Sequence, residues 1–110
     1  MNRLAIFEML GVPPRELLVT DIRIEAWGQT LLLSCIYDIE ERQPFELEFT
    51  QCQTLRWEII DDEDDLSQEK MADVIAITFS EGEVQREAVI LTVLFEIVVG
   101  YKTMRIHKDW

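Results

Sequence analysis

The sequence is poor in the residues on which common cofactor-binding motifs depend. Its 110 residues include only 4 glycines, 2 cysteines and 1 histidine. The glycines stand singly along the chain, so no glycine-rich phosphate-binding loop can form, and the GxGxxG, GxxxxGK[ST] and GxSxG motifs are absent. Nucleotide chemistry is therefore disfavoured.

The single histidine and the two cysteines disfavour both a nucleophilic catalytic site and a zinc site. A catalytic triad needs a base beside a serine or cysteine, and His107 is expected on an outward face near the chain end. Cys35 and Cys52 form no CxxC pair and have no basic neighbour in sequence, which favours buried structural thiols. We assign no catalytic, cofactor-binding or metal-binding residue.

Basic side chains are also scarce. Ten lysines and arginines stand against 22 aspartates and glutamates, giving a formal net charge of −12. Such a charge repels nucleic-acid phosphates and anionic lipids, so neither nucleic acid nor a membrane is expected as a partner. It favours a basic protein partner, although solubility alone also explains it.

No apolar run is long enough to cross a bilayer as a helix, which needs about 20 residues. The most apolar run, 88–99, is interrupted by Glu96, and the N-terminal run is broken by Glu8 and lacks the pattern of a signal peptide. Two cysteines make no disulfide framework. These features predict a cytoplasmic protein with a single globular domain over 1–110.

Periodicity predicts a short N-terminal helix followed by strands. Apolar residues within 2–10 fall on one helical face, Gly11 supplies a stop, and Pro14 is compatible with a second helical turn through Leu18. From Thr20 the period is two, as in β-strands. Gly28 separates the first two apolar runs and predicts a hairpin. The predicted strands cover 20–26, 31–39, 44–50, 54–59, 74–79, 88–99 and 101–108.

The fold class predicted from these runs is mainly β, or α+β. We expect an antiparallel sheet of six to seven strands, arranged as a sandwich or a curved sheet, with the short helix covering one end or face. Residues 61–71 are interpreted as an acidic loop, with a second helix as the alternative. The acidic run at 61–65 lacks the glycine of an EF-hand, which favours solvated charge over a metal site.

The hairpin between Ile39 and Pro44 bears on the cysteines. If these residues flank the turn, Cys35 lies opposite Glu48 and Cys52 lies about four residues beyond it, more than about 10 Å from Cys35. A disulfide requires Cα atoms closer than about 7 Å. Both thiols are therefore predicted to be free.

Glu96 is the acidic residue in the most unusual position, between Phe95 and Ile97 in the most apolar run. A buried carboxylate there would be a candidate acid or base, while pairing with an arginine or solvent contact at a sheet edge is the alternative. A small ligand-binding domain or enzyme would then use a pocket near Glu96, Tyr37 and a tryptophan.

Two segments carry a resemblance to a known group of proteins. They are FxLxFxxCxxLxW at 45–57 and TxxFExxxxY at 92–101. Within residues 31–106 the chain resembles small β-rich bacterial proteins of unknown function, some of which are grouped with immunity proteins of toxin systems. The resemblance implies a noncatalytic protein that binds and blocks a partner, a role in which an acidic surface accelerates association with a basic domain.

Three functional hypotheses follow. The first is a noncatalytic, immunity-like protein-binding module, and the second is the ligand-binding domain or enzyme with a pocket near Glu96. The third is a homodimer formed through exposed sheet edges or through the segment 101–110, because Trp110 has no obvious core to enter.

Overall fold

The computed structural model describes residues 4–60, 72–82 and 85–110. These residues form one α-helix, a short 3-10 turn at Ala26–Gly28 and eight strands. The predicted N-terminal helix is confirmed, whereas the second helical turn is wrong because the chain is already extended at Leu17. The elements are α1 Leu4–Leu10, β1 Leu17–Glu25, β2 Thr30–Tyr37, β3 Gln43–Thr50, β4 Thr54–Ile59, β5 Ala72–Glu81, β6 Arg86–Thr92, β7 Phe95–Tyr101 and β8 Thr103–His107.

The eight strands form one open antiparallel sheet in the order β4-β7-β6-β5-β1-β2-β3-β8. The mainly β class is confirmed. The predicted count of six to seven strands is too low, and one open sheet is found in place of the predicted sandwich. The predicted acidic loop at 61–71 and its helical alternative lie outside the described residues.

The additional strand comes from the apolar run 88–99, which was predicted as one long strand. The chain reverses at Val93 and Leu94, so the run becomes the β6–β7 hairpin. The Thr92 hydroxyl accepts hydrogen bonds from the backbone N–H groups of Leu94 (3.1 Å) and Phe95 (3.0 Å). Because this side chain satisfies backbone groups of the turn, the reversal needs neither glycine nor proline.

The two ends of the sheet lie close together. Six strand spacings separate β4 from β3 in the hydrogen-bonded order, which would be about 29 Å in a flat sheet. The link from Thr50 to Thr54 can span only about 14 Å. The sheet is therefore bent around the core, and the Phe49 ring of β3 meets the Tyr101 ring of β7 with centroids 4.9 Å apart.

The helix α1 contributes its apolar face to the same core. Ile6, Phe7 and Leu10 are buried, and the Phe7 ring meets the Tyr37 ring edge-on at 6.1 Å. Gly11 ends the helix with a φ of +73°, and its N–H donates to the Phe7 carbonyl (2.9 Å). The helix thus lies beside β2 and fixes the position of Met9 on its exposed side.

The register of the β2–β3 hairpin differs from the predicted one. Cys35 lies opposite Phe45 and not opposite Glu48. The turn is tightened by Asp38, whose carboxylate accepts the Glu40 N–H (3.1 Å). Opposite residues of an antiparallel pair face the same side. The observed register therefore buries Cys35 with an aromatic side chain, whereas the predicted register would have placed a carboxylate beside it.

Both thiols are free and buried, as predicted. Cys35 donates to the Leu33 carbonyl (3.6 Å), and Cys52 donates to the Phe49 carbonyl (3.4 Å). Burial raises the pKa of both thiols. The negative charge of Glu46 raises the pKa of Cys35 further, whereas a backbone hydrogen bond partly offsets the rise at Cys52.

These thiols make the fold sensitive to alkaline pH. Because folding raises the thiol pKa, the thiol stays protonated in the folded protein at pH values where it ionises in the unfolded chain. The resulting stabilisation is complete below the ordinary thiol pKa and is lost as the pH rises above it. We expect the free energy of unfolding to fall above about pH 9, by up to about 1.4 kcal/mol per pH unit for each thiol. Urea unfolding of the wild type and of Cys35→Ala between neutral and alkaline pH measures this. Equal slopes of the free energy of unfolding against pH for the wild type and Cys35→Ala would contradict this expectation.

The strand β4 is more exposed than its apolar alternation indicates. Alternating apolar residues such as Leu55, Trp57 and Ile59 are typical of a strand with one buried face, but of these three only Leu55 is partly buried. Trp57 is 47% exposed and Ile59 is 64% exposed. Among the described strands β4 pairs only with β7, so these side chains have neighbours on one side alone.

Candidate binding cleft

A cleft of about 540 Å³ opens where the β5–β6 hairpin approaches α1 and the β7–β8 connection. Its volume lies within the range of about 300–1,000 Å³ that is typical of ligand sites. Apolar and aromatic side chains line most of it, with one ion pair at its margin. The lining residues are Met9, Phe79, Ser80, Glu81, Arg86, Tyr101 and Met104.

One wall of the cleft is a row of side chains across three neighbouring strands. Glu81 of β5 lies opposite Arg86 of β6, and Arg86 lies opposite Tyr101 of β7. Because opposite residues share a face of the sheet, the three side chains point to the same side. The row therefore runs from a buried phenol at Tyr101 to a carboxylate at the surface.

Two methionines face this row from separate elements. Met9 projects from α1 with half of its surface exposed, and Met104 of β8 is partly buried against the core. Phe79 of β5 lies between the charged row and the core. Methionine is unbranched and polarizable, and it adapts to partners of different shape. This side of the cleft is suited to receiving an apolar side chain.

The charges of the cleft lie at its margin. The Arg86 Nε lies 3.7 Å from the Glu81 Oε1, and these side chains are 57% and 81% exposed. A pair this exposed contributes between about 0 and 1 kcal/mol, so Glu81 is available to an incoming cation. Burial raises the pKa of Tyr101, Arg86 lowers it and Glu81 raises it. Because burial is the largest of these effects, the phenol stays neutral at physiological pH.

A second, more polar cleft of about 460 Å³ adjoins the first and shares Ser80 and Glu81 with it. Its other lining residues include Thr54 and Gln85, and the Gln85 Nε2 donates to the Thr54 Oγ1 (3.3 Å). Both groups lie over Gly100, where an added Cβ would come within 2.5 Å of each. Glycine at this position thus leaves room for the Gln85 amide beside β7.

The residues of the ligand-pocket hypothesis do not lie together. Glu96 is on the opposite face of β7 from the buried Phe95 and Ile97, and it lies across from Glu58 of β4. Tyr37 is on β2, separated from β7 by three other strands. Glu96 lines neither of these two clefts.

The aromatic residues near the C-terminus pack within the chain. Trp110 stacks on Tyr37 with centroids 5.8 Å apart, and its indole N–H donates to the Pro44 carbonyl. Lys108 donates to the Leu10 carbonyl (2.5 Å) and lies over the Trp110 ring. The expectation that Trp110 has no core to enter was therefore wrong. His107 is half exposed, as expected, and its Nε2 lies 3.1 Å from Glu48.

None of the cleft residues is marked as part of a site by the sequence pattern. Met9 and Met104 stand far apart in sequence, and Phe79 and Tyr101 belong to ordinary alternating strands. The cleft exists because the bent sheet and α1 bring these residues together. Glu81 and Arg86 are close in sequence and opposite each other on β5 and β6, but such cross-strand pairs of opposite charge are common on protein surfaces.

The described residues contain neither a cluster of metal ligands nor a helix able to span a membrane. They contain no group of three or more histidine, cysteine, aspartate or glutamate side chains placed to hold a metal ion. The acidic run at 61–65 lies outside this part of the chain. No helix in the described ranges has the length and hydropathy to span a bilayer.

Comparison with known proteins identifies a fold but no family. No protein-family model matches the sequence, and no curated protein matches it significantly. The structure is similar to the crystal structure of an uncharacterized protein from Neisseria gonorrhoeae, with a TM-score of 0.60 and 14% sequence identity. The match covers 88% of this chain and 95% of that one. At this identity the similarity concerns the fold alone.

Proposed function

We propose that the protein is a noncatalytic binding module whose cleft receives an apolar side chain of a partner protein, flanked there by a basic residue. The observation that carries this proposal is the combination of two methionines and Phe79 with an exposed carboxylate at the margin of one cleft. Sites of this composition bind partners by burying an apolar anchor and fixing its flanks with charge.

The preference for a basic flank rests on two charge observations. Glu81 is the more exposed member of the marginal ion pair, with 81% of its side chain exposed. The whole chain carries a net charge of −12, which attracts cationic partners over a distance. Association should therefore be fast at low ionic strength and slower when salt screens the field.

The alternative of an enzyme or ligand-binding domain near Glu96 has less support. Glu96 lies on the outer face, across from a second carboxylate, and away from the described clefts. The immunity role rests on the sequence resemblance alone, since the Neisseria neighbour is described only as uncharacterized. A cytoplasmic location likewise rests on composition.

Fluorescence anisotropy with a defined peptide tests the binding proposal. The probe is a short labelled peptide in which a phenylalanine is flanked by lysines, and the comparison peptide carries glutamates in place of the lysines. We expect the basic peptide to bind the wild type and to bind about tenfold more weakly to Glu81→Lys, a loss of about 1.4 kcal/mol. Affinity should also fall when the ionic strength rises from about 0.01 M to about 0.15 M.

The matched control is Glu40→Lys, which changes net charge equally but lies in the exposed β2–β3 turn. We expect it to weaken binding far less than Glu81→Lys, and Phe79→Ala to weaken binding without altering the overall charge. Equal effects of the two lysine substitutions would show attraction by net charge alone. That result, or equal binding of the acidic peptide, would contradict the proposed site.

A further inference from the structure

We propose that the protein forms a symmetric homodimer in which β4 pairs antiparallel with β4 of a second copy, with Trp57 opposite its own counterpart. This surface is separate from the cleft, whose lining residues include none from 55–59. The pairing would join two eight-stranded sheets edge to edge. The inference rests on the backbone direction of β4, on its charges and on its exposed apolar residues.

The outer edge of β4 is open in the described part of the chain. Its sole strand partner there is β7, with Ile59 opposite Phe95. An edge strand presents unpaired N–H and C=O groups that can template pairing with another chain. Trp57 and Ile59 are large apolar residues left exposed beside this edge, and such residues mark interaction surfaces.

The direction of the backbone groups restricts the register. The Ile60 N–H donates to the Leu94 carbonyl (2.8 Å), which continues the β4–β7 ladder by one residue. Backbone groups alternate in direction along a strand. The even-numbered residues of β4 therefore point their N–H and C=O groups at β7, and Leu55, Trp57 and Ile59 point theirs at the open edge. A second copy can pair only through these odd-numbered residues.

Charge then selects one register among those that the backbone allows. With Trp57 opposite Trp57 of the other copy, each Arg56 lies opposite a Glu58, giving two ion pairs on the outer face. If one strand is shifted by two residues relative to the other, Arg56 lies opposite Arg56 of the other copy for one direction of the shift. For the other direction, Glu58 lies opposite Glu58. Like charges directly opposite are destabilising, and opposite charges stabilise the pair. The sequence of β4 is thus complementary to itself in a single register.

The other edge of the sheet shows the contrasting pattern. β8 also has one strand partner among the described strands, but its one charged residue, Arg105, is basic, and Lys102 and Lys108 flank it. Antiparallel pairing of β8 with itself would bring cations together. Charged edges of one sign are a common protection against such pairing. The two edges therefore differ in a way that favours dimerisation through β4.

Sedimentation equilibrium across a concentration series tests the dimer, with a charge exchange as the critical variant. We expect Arg56→Glu and Glu58→Arg each to weaken dimerisation at least about tenfold, because each change affects two symmetric pairs. The double variant Arg56→Glu/Glu58→Arg should restore the affinity to within about threefold of the wild type. Arg105→Glu on β8 makes the same charge change as Arg56→Glu and should leave dimerisation unaltered.

Cross-linking measures the register independently of affinity. Trp57→Cys would bring two thiols to opposite positions of the new ladder, within the Cα separation of about 4.4–6.8 Å that a disulfide allows. Ile59→Cys is the matched control, since its thiols would lie about 13 Å apart along the strands. We expect rapid oxidation to a covalent dimer for Trp57→Cys alone. A wild type that stays monomeric, a double variant that does not recover, or equal cross-linking of the two cysteine variants would overturn the proposal.

Discussion

Phe49→Ala is expected to lower the free energy of unfolding by about 3–5 kcal/mol, the range measured for buried Phe→Ala changes. Phe49 is fully buried at the end of β3, and its ring contacts Tyr101 of β7 at 4.9 Å. These strands lie at different ends of the sheet and share no backbone ladder. The contact therefore holds the bent sheet together across its interior, and its loss leaves a cavity where the two ends meet.

Phe79→Ala is the matched control for this change, and urea unfolding measures both. The same atoms are removed, but Phe79 is only partly buried at the cleft. We expect Phe79→Ala to lower the free energy of unfolding by less than about half as much as Phe49→Ala. For a more exposed side chain, truncation removes less buried apolar surface and leaves a smaller cavity. Comparable losses for the two variants would contradict the bent-sheet packing.

Thr92→Val is expected to destabilise the protein by about 2–4 kcal/mol although it preserves the shape of the side chain. Thr92 is fully buried, and its hydroxyl accepts two backbone N–H groups and donates to the Phe95 carbonyl (3.2 Å). Valine would leave the donors of Leu94 and Phe95 in the β6–β7 turn without this acceptor. An unsatisfied buried group costs about 1–3 kcal/mol.

Thr92→Ser separates the hydroxyl from the methyl group in the same unfolding assay. Serine retains the hydrogen bonds and removes one buried methyl, so the loss should be about 1 kcal/mol. A Thr92→Ser protein as unstable as Thr92→Val would show that packing, and not the hydroxyl, maintains the turn. The order of stability of Thr92→Ser and Thr92→Val is thus more informative than the free energy of unfolding of either variant alone.

The strand pattern was predictable from the sequence wherever one face of a strand is buried by neighbours on both sides. β3 follows its alternation, with Phe45, Leu47 and Phe49 all buried. β4 has the same alternation but lies at an edge, so Trp57 and Ile59 stay exposed. Alternation in the sequence shows which residues are apolar, whereas the order of the strands in the sheet determines which of these residues are buried.

Two failures of the sequence prediction share a physical cause, namely that side chains shape the turns. The β6–β7 reversal contains no glycine or proline, because Thr92 supplies the acceptor that the turn needs. In the β2–β3 turn the Asp38 carboxylate accepts the Glu40 N–H, and the register of the hairpin differs from the predicted one. Such bonds depend on local geometry that periodicity does not encode.

The cleft was less predictable than the fold, because its residues come from separate elements. Met9 lies on α1, Phe79 on β5 and Met104 on β8. Only the bend of the sheet and the docking of α1 bring them to one place. Glu96, the residue singled out from sequence, was conspicuous for its apolar neighbours in the chain, but alternation along β7 turns it to the outer face.

The cleft and the β4 edge consist of different residues. The cleft proposal depends on Glu81, Phe79 and the two methionines, and the dimer proposal depends on Arg56, Trp57 and Glu58. Charge exchange on β4 should leave binding of the basic peptide unchanged, and Glu81→Lys should leave dimerisation unchanged. Each proposal can therefore fail without affecting the other.

The most direct test of the binding account is methyl NMR of the methionines. The chain has 4 methionines, and Met9 and Met104 line the cleft. Their ¹³C-methyl signals can be assigned with Met9→Leu and Met104→Leu. The account predicts that the phenylalanine–lysine peptide shifts both signals in the wild type, with a weaker response in Glu81→Lys. If neither signal moves at a saturating concentration of the peptide, the cleft is not its binding site.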